Sequence, residues 1–193
     1  MFLMIFCQSF QIRDWDSLLQ KIRRLIGLDP GLQSTGWGLI VVEGNRLKHE
    51  GSGAICSDST LSLSERLLQI HNGLLAILKS HSPDEAAVEE TFVNKNPRSA
   101  LKLGSARGVV LLTPALFGIP VSEYSANRVK KSVVGVGHAT KGQVELMVKQ
   151  LFPSCDPKNN DAVDALAIAV CHAHYSQTEK RWFEKNISVN ERV

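Results

Sequence analysis

Apolar residues fall into short runs broken by turn residues in the first quarter of the chain, and into longer helical spacings after it. Leu25-Ile26-Gly27-Leu28 runs straight into one carboxylate, Asp29. Pro30-Gly31 follows at once, and a second apolar run opens with Gly36 and Gly38 and continues to Val42. This pattern predicts a strand ending in Asp29, a tight turn and a returning antiparallel strand. Gly44-Asn45 supplies the next turn, into a third strand from Arg46 to Ile55, so the three strands form a meander. Leu63, Leu67, Ile70, Leu74, Ile77 and Leu78 then share one helical face, and Pro83 ends that helix.

Glu85 to Phe92 is small and apolar until it meets Glu89 and Glu90, and predicts a fourth strand. Successive strand side chains point to opposite faces, so only one of the two glutamates can face a given site, and spacing does not say which. Asn96-Pro97 is a helix start, with Asn as cap and Pro in the first turn. The helix is expected to run to about Leu112, where Pro114 ends or kinks it. It carries Ala100, Gly104 and Gly108 at four-residue steps. Glycine costs about 1 kcal/mol against alanine inside a helix, so this row needs a close neighbour, from the same chain or from a two-fold related subunit.

Ile119–Tyr124 predicts a fifth strand, followed by a short helix to Val134, a glycine-containing link from Gly135 to Thr140, and a helix to Leu151 stopped by Pro153. Asn159-Asn160 caps a last core helix, from Asp161 to His174. Residues 1–23 lie outside this pattern, although Asp14–Arg24 could form a short amphipathic helix through Trp15, Leu18, Leu19 and Ile22. The tail over 177–193 is polar and is expected to fray. The core therefore spans 24–176 as one α/β domain.

A 44% hydrophobic and 21% charged composition is that of an ordinary globular chain. No apolar run approaches the roughly 18–20 residues that span a bilayer, and Met1–Phe6 lacks the basic residues that precede a signal peptide's apolar core. Cys7, Cys56, Cys155 and Cys171 form no CxxC pair, which reads as reduced cysteines of a cytoplasmic protein. The net charge of +3 hides an asymmetry. Thr91 to Lys149 holds nine basic residues, Arg98, Arg128, Lys130 and Lys141 among them, against Glu123 and Glu145 alone. Such a segment could bind phosphates, or could simply be solvated helix faces.

Four carboxylates carry the chemistry. Asp161 and Asp164 stand three apart in the first turn of the last helix, on one face among Ala, Val and Leu. An acid there also serves as an ordinary cap, and Asp29 by itself could merely initiate a turn. In a five-stranded mixed sheet of order 3-2-1-4-5, however, strands one and four are neighbours. Asp29 and one of Glu89 and Glu90 then meet beside the acids of the last helix. Carboxylates without His or Cys suit Mg²⁺ or Mn²⁺. Two ions about 3.5–4 Å apart could serve phosphodiester hydrolysis.

The motifs Ile26-Gly-Leu-Asp-Pro-Gly, Ala87-Val-Glu-Glu-Thr-Phe, Ser99-Ala-Leu-Lys-Leu-Gly-Ser-Ala-Arg-Gly, Val133-Val-Gly-Val-Gly and Asp161-Ala-Val-Asp-Ala-Leu-Ala resemble the RuvC family of bacterial Holliday junction resolvases, in order over about 24–175. The resemblance implies an RNase H-like fold with helices flanking the sheet. It places Asp29, Glu89, Asp161 and Asp164 as the metal-binding acids, choosing Glu89 over Glu90. Phe92 falls where the family has an aromatic that inserts among bases, and Lys130 and Lys141 where it has basic residues serving DNA binding and cleavage. It further implies a homodimer with two active sites on one four-way junction, and the RuvA–RuvB branch-migration complex as partner.

Three other functions fit parts of the pattern. A related RNase H-like nuclease could act on another structured nucleic acid. Asp-Pro-Gly before a glycine-containing strand also resembles the phosphate loop of actin-like and sugar-kinase ATPases, but these need two such halves and leave the basic segment without a role. A non-enzymatic junction-binding protein would have no use for four acids, which repel phosphate.

Overall fold

The computed structural model describes residues 22–90, 96–155 and 160–190, with side chains described through Ser176. Five strands, β1 (Arg23–Asp29), β2 (Ser34–Glu43), β3 (Arg46–Cys56), β4 (Glu85–Glu89) and β5 (Val121–Tyr124), form one sheet of order β3-β2-β1-β4-β5. Pairing is antiparallel from β3 through β1 and parallel from β1 through β5. The expected mixed sheet is therefore present. The helices are α1 (Leu63–His81), α2 (Pro97–Leu116), α3 (Ala126–Val134), α4 (Lys141–Leu151) and α5 (Asn160–Asn190).

Strand alternation divides the core into two layers. Leu25 of β1, Ile40 and Val42 of β2 and Ala87 of β4 face α5, α3 and α4, and pack with Val129, Val148, Phe152, Leu166 and Ile168. The intervening residues Ile26, Leu28, Leu39, Ala86 and Val88 face the other way, against Ile70 and Leu74 of α1 and Ala106 and Val110 of α2. The sheet is covered on both faces, which is what near-continuous apolar strands such as β1 and β4 require.

Local chemistry sets the helix ends. Ser62 and Glu65 form a reciprocal capping box on α1, and Thr140 and Gln143 form another on α4. Asn96 Oδ1 accepts from the main-chain N–H groups of Arg98 (3.0 Å) and Ser99 (3.4 Å) at the start of α2.

Several boundaries differ from the sequence expectation. Arg23 and Arg24 belong to β1 rather than to an amphipathic helix, because buried Arg23 pairs with Glu85 at 3.1 Å across the parallel strands; Ile22 is exposed and in no helix, and residues 14–21 of that expected helix lie outside the described residues. β4 stops at Glu89, and β5 begins at Val121 rather than Ile119. α2 continues through Pro114 to Leu116. Pro114 stands two residues before the helix end, so the hydrogen bond it forgoes and any bend it causes affect only the last turn. α5 extends past the predicted core helix to Asn190. Of the described cysteines Cys155 and Cys171 are buried and Cys56 is exposed.

Candidate metal centre and nucleic-acid face

β1 and β4 run parallel with Leu28 opposite Val88, so Asp29 and Glu89 follow at the same level on neighbouring strands. Along β1, Asp29 shares the face of Leu25 and Gly27; along β4, Glu89 shares the face of Ala87. Both carboxylates therefore point to the α5 side, while Glu90 is exposed.

The start of α5 reaches that place because glycines let it sink onto the sheet. A β-carbon on Gly36 would overlap the main-chain carbonyl oxygen of Asp161, and one on Gly27 would overlap that of Ala165. Gly36 is opposite Asp29 in the β1–β2 pairing, so the glycine that seats Asp161 is the one registered against Asp29. The intervening turn is braced by Thr35, whose Oγ1 donates to the Gly31 carbonyl at 2.7 Å.

The four acids feel one another. Asp29 is raised from 3.8 to about 7, first by burial and then by Glu89, Asp164 and Asp161, with Lys141 opposing. Glu89 is also raised, by burial and then by Asp164, against the pull of Lys130 and Lys141. Lys141 donates from Nζ to Asp164 Oδ2 at 2.7 Å, and this bond raises its own pKa. Ser34 donates from Oγ to Asp161 Oδ2.

The donor chemistry fits a hard divalent cation. Carboxylates partly withdrawn from water repel one another, and the nearest compensation is one lysine ammonium reaching in from α4. Among the described residues no three His, Cys, Asp or Glu side chains stand in an arrangement that could hold a metal ion as they are. Asp164 is engaged by Lys141 and one oxygen of Asp161 by Ser34.

The residues expected to meet nucleic acid separate into groups. Lys130 and Lys141 act electrostatically on the acids from α3 and α4. Arg98 is exposed in the first turn of α2. Arg128, exposed on α3, lies over the rings of Tyr175 and Tyr124, its Cζ 4.5 and 5.5 Å from their centroids. Phe92 lies outside the described residues.

Ser34 escaped the sequence reading, although two-residue alternation back from Gly36 would have put it on the Asp161 side of β2. His172 carried no functional expectation. It is buried, with Nδ1 2.8 Å from the Tyr124 hydroxyl and Nε2 2.9 Å from Glu85, and so ties α5 to β4 and β5.

The family model described as Crossover junction endodeoxyribonuclease RuvC matches residues 25–172. The chain is 58% identical over 158 residues to the crossover junction endodeoxyribonuclease RuvC of Paramagnetospirillum magneticum, covering 82% of this chain and 95% of that one. It is 59% identical over 152 residues to the protein of the same name from Rhodospirillum rubrum, covering 79% and 90% respectively. The structure of T. thermophilus RuvC in complex with Holliday junction substrate matches with a TM-score of 0.76 at 33% identity, covering 81% of this chain and 96% of that chain. The sheet and helices thus form an RNase H-like fold. Because the match runs from β1 into α5 and takes in every strand of the sheet, the chain belongs to the crossover junction endodeoxyribonuclease RuvC family.

Proposed function

We propose that this chain resolves Holliday junctions, nicking two opposed strands of a four-way DNA junction in recombination and DNA repair. The observation that carries this reading is the gathering of Asp29, Glu89, Asp161 and Asp164 at one end of the sheet, with Lys130 and Lys141 beside them. Acids alone would repel a DNA backbone; acids flanked by lysines can accept one once a cation is bound.

Asp29, Glu89, Asp161 and Asp164 hold Mg²⁺, with Mn²⁺ able to replace it and two ions per site. The metal supplies positive charge that makes water a stronger nucleophile and stabilises the leaving 3′ oxygen. Asp29 and Glu89 provide rigid anchorage, since they end strands whose register is set by the sheet. Asp161 and Asp164 complete the set from the first turn of α5. Lys141, which now contacts Asp164, would be free to meet a DNA phosphate if that carboxylate held a cation. The products carry 5′-phosphate and 3′-hydroxyl ends.

Arg98, Arg128 and Lys130 contribute to backbone binding, and Phe92 stacks on a base opened near the crossover. The chain works as a homodimer, one active site per cleaved strand. Gly104 and Gly108 support this: a β-carbon on either would meet nothing within 4 Å, so no described part of the chain packs against them. They lie on an α2 face with Leu101, Leu112 and Leu116, which are 75%, 57% and 68% exposed. The RuvA–RuvB complex is the expected partner and the cytoplasm the expected compartment; among the described residues no helix is long and apolar enough to cross a membrane.

The test is a synthetic four-way junction incubated with the protein, with and without Mg²⁺, alongside linear duplex and RNA–DNA hybrid at the same salt. Paired symmetric nicks on the junction, requiring Mg²⁺, are expected. Equal cleavage of the hybrid would replace this reading with a different nuclease of the same fold.

A further inference from the structure

β2 holds Asp161 at two points. Gly36 receives its main-chain carbonyl, and Ser34, two residues earlier on the same face, donates a hydrogen bond to its side chain. We propose that Ser34 is a positioning residue of the metal centre, engaging Oδ2 of Asp161 so that the other carboxylate oxygen is presented to the divalent cation. The inference rests on the reading of the four acids as metal ligands.

An aspartate in the first turn of a helix has competing uses for its carboxylate, chiefly the free N–H groups of that same turn. A hydroxyl fixed to a neighbouring strand removes this freedom by binding one oxygen in a set direction. The strand in question is the partner of β1, with Gly36 opposite Asp29, so the same register that locates Asp29 also aims Asp161. Ser34 is thus the route by which the sheet controls a ligand that belongs to a helix.

Packing does not account for the serine. Ser34 and Asp161 both line an open cleft of about 620 Å³, shared with Gly31, Gln33, Cys56 and Ser57. The hydroxyl is half-buried at the edge of that cleft rather than filling a core position. Removing it leaves no cavity in the apolar layer. What changes is the constraint on Asp161.

Outer-shell hydrogen bonds to ligating groups typically govern about 10–100-fold in metal affinity. The test measures Mn²⁺ binding to the full chain by calorimetry without DNA, for the wild type, Ser34→Ala, Ser34→Val, Ser34→Thr and Asp29→Asn. Ser34→Ala and Ser34→Val are expected to weaken Mn²⁺ binding about tenfold, with Ser34→Thr close to wild type. The Mg²⁺ concentration giving half-maximal junction cleavage should rise by the same factor in the first two, and junction affinity in EDTA should not change. Wild-type Mn²⁺ affinity in Ser34→Ala and Ser34→Val, with binding lost in Asp29→Asn, overturns the role of Ser34 and leaves the metal reading standing. Wild-type affinity in Asp29→Asn overturns the metal reading itself. If the alanine variant does not fold, the near-isosteric threonine and valine pair decides: equal affinities overturn the proposal, and a deficit confined to valine supports it.

Discussion

Asp29 and Glu89 end adjacent parallel strands at the same level, one residue beyond the Leu28–Val88 pair, and both turn toward α5. The backbone thereby forces together two carboxylates that burial already makes reluctant to ionise. Asp29→Asn keeps the shape and removes one charge from the centre of the cluster. The variant is expected to lose Mg²⁺-dependent cleavage below detection while still shifting a four-way junction in a gel containing EDTA. Cleavage at the wild-type rate would remove Asp29 from the site.

The same arrangement gives the metal-free protein a particular pH dependence. Asp29 and Glu89 have raised pKa values in the folded state, and through Asp29 the folded chain binds more protons than the unfolded one between about 4 and 7. Their contribution to stability is complete below the unfolded value and is lost as pH rises through the folded one. In EDTA the wild-type melting temperature should fall between pH 5 and pH 8 relative to Asp29→Asn. The separation should be a few degrees, since about 1 kcal/mol moves a domain of this size by roughly 2–4 °C. Mg²⁺ should close the gap by stabilising only the wild type. Parallel melting curves for the two proteins across pH would refute this account.

Gly36→Ala tests how α5 is seated. Its β-carbon would overlap the carbonyl of Asp161, a main-chain atom that cannot swing aside. The helix must move off the sheet, or β2 must bend. Overpacking of this kind costs about 1–3 kcal/mol, and it should displace Asp161 from the other acids. A lower melting temperature is expected together with weakened Mn²⁺ binding. Gly142→Ala in α4 is the control in stability, because nothing lies within 4 Å of its added carbon and alanine favours the helix. Equal melting temperatures for Gly36→Ala and the wild type would show that α5 does not rest there.

Much of this architecture can be read from local pattern. Asp29 before Pro-Gly, the capping residues Ser62, Asn96 and Thr140, and the alternation that splits β1 between two layers are all short-range signals. Choosing between Glu89 and Glu90 was not possible that way. Neighbouring strand residues differ only in face, and the face is defined by what packs on Ala87 from far away in the chain. Ser34 was missed for a related reason: its partner Asp161 is 127 positions away. Arg23 and Arg24 read as the end of an amphipathic helix because Glu85, which pairs with Arg23, is 62 positions away in sequence. Pro114 misled in the opposite direction, since a proline near a helix C-terminus gives up only one hydrogen bond.

Gly104 and Gly108 stand inside α2, where each is less favourable than alanine. Their cost within α2 is paid by no contact inside the described chain, and Leu101, Leu112 and Leu116 extend the same face in apolar residues. A two-fold related copy of α2 would bury those leucines and use the glycines for close helix approach. Leu112 is 57% exposed in the isolated chain, so Leu112→Glu should leave the monomer folded. In a dimer it would place a charge in an apolar seam, and its own image opposite it. Sedimentation equilibrium is then expected to report a dimer for the wild type and a monomer for this variant. Junction cleavage should fall from paired nicks to sparse single ones, because the two active sites no longer arrive together. Mn²⁺ binding per chain should be unchanged, since α2 packs on the sheet face opposite the acids. A Leu112→Glu protein that remains dimeric would move the interface to another surface.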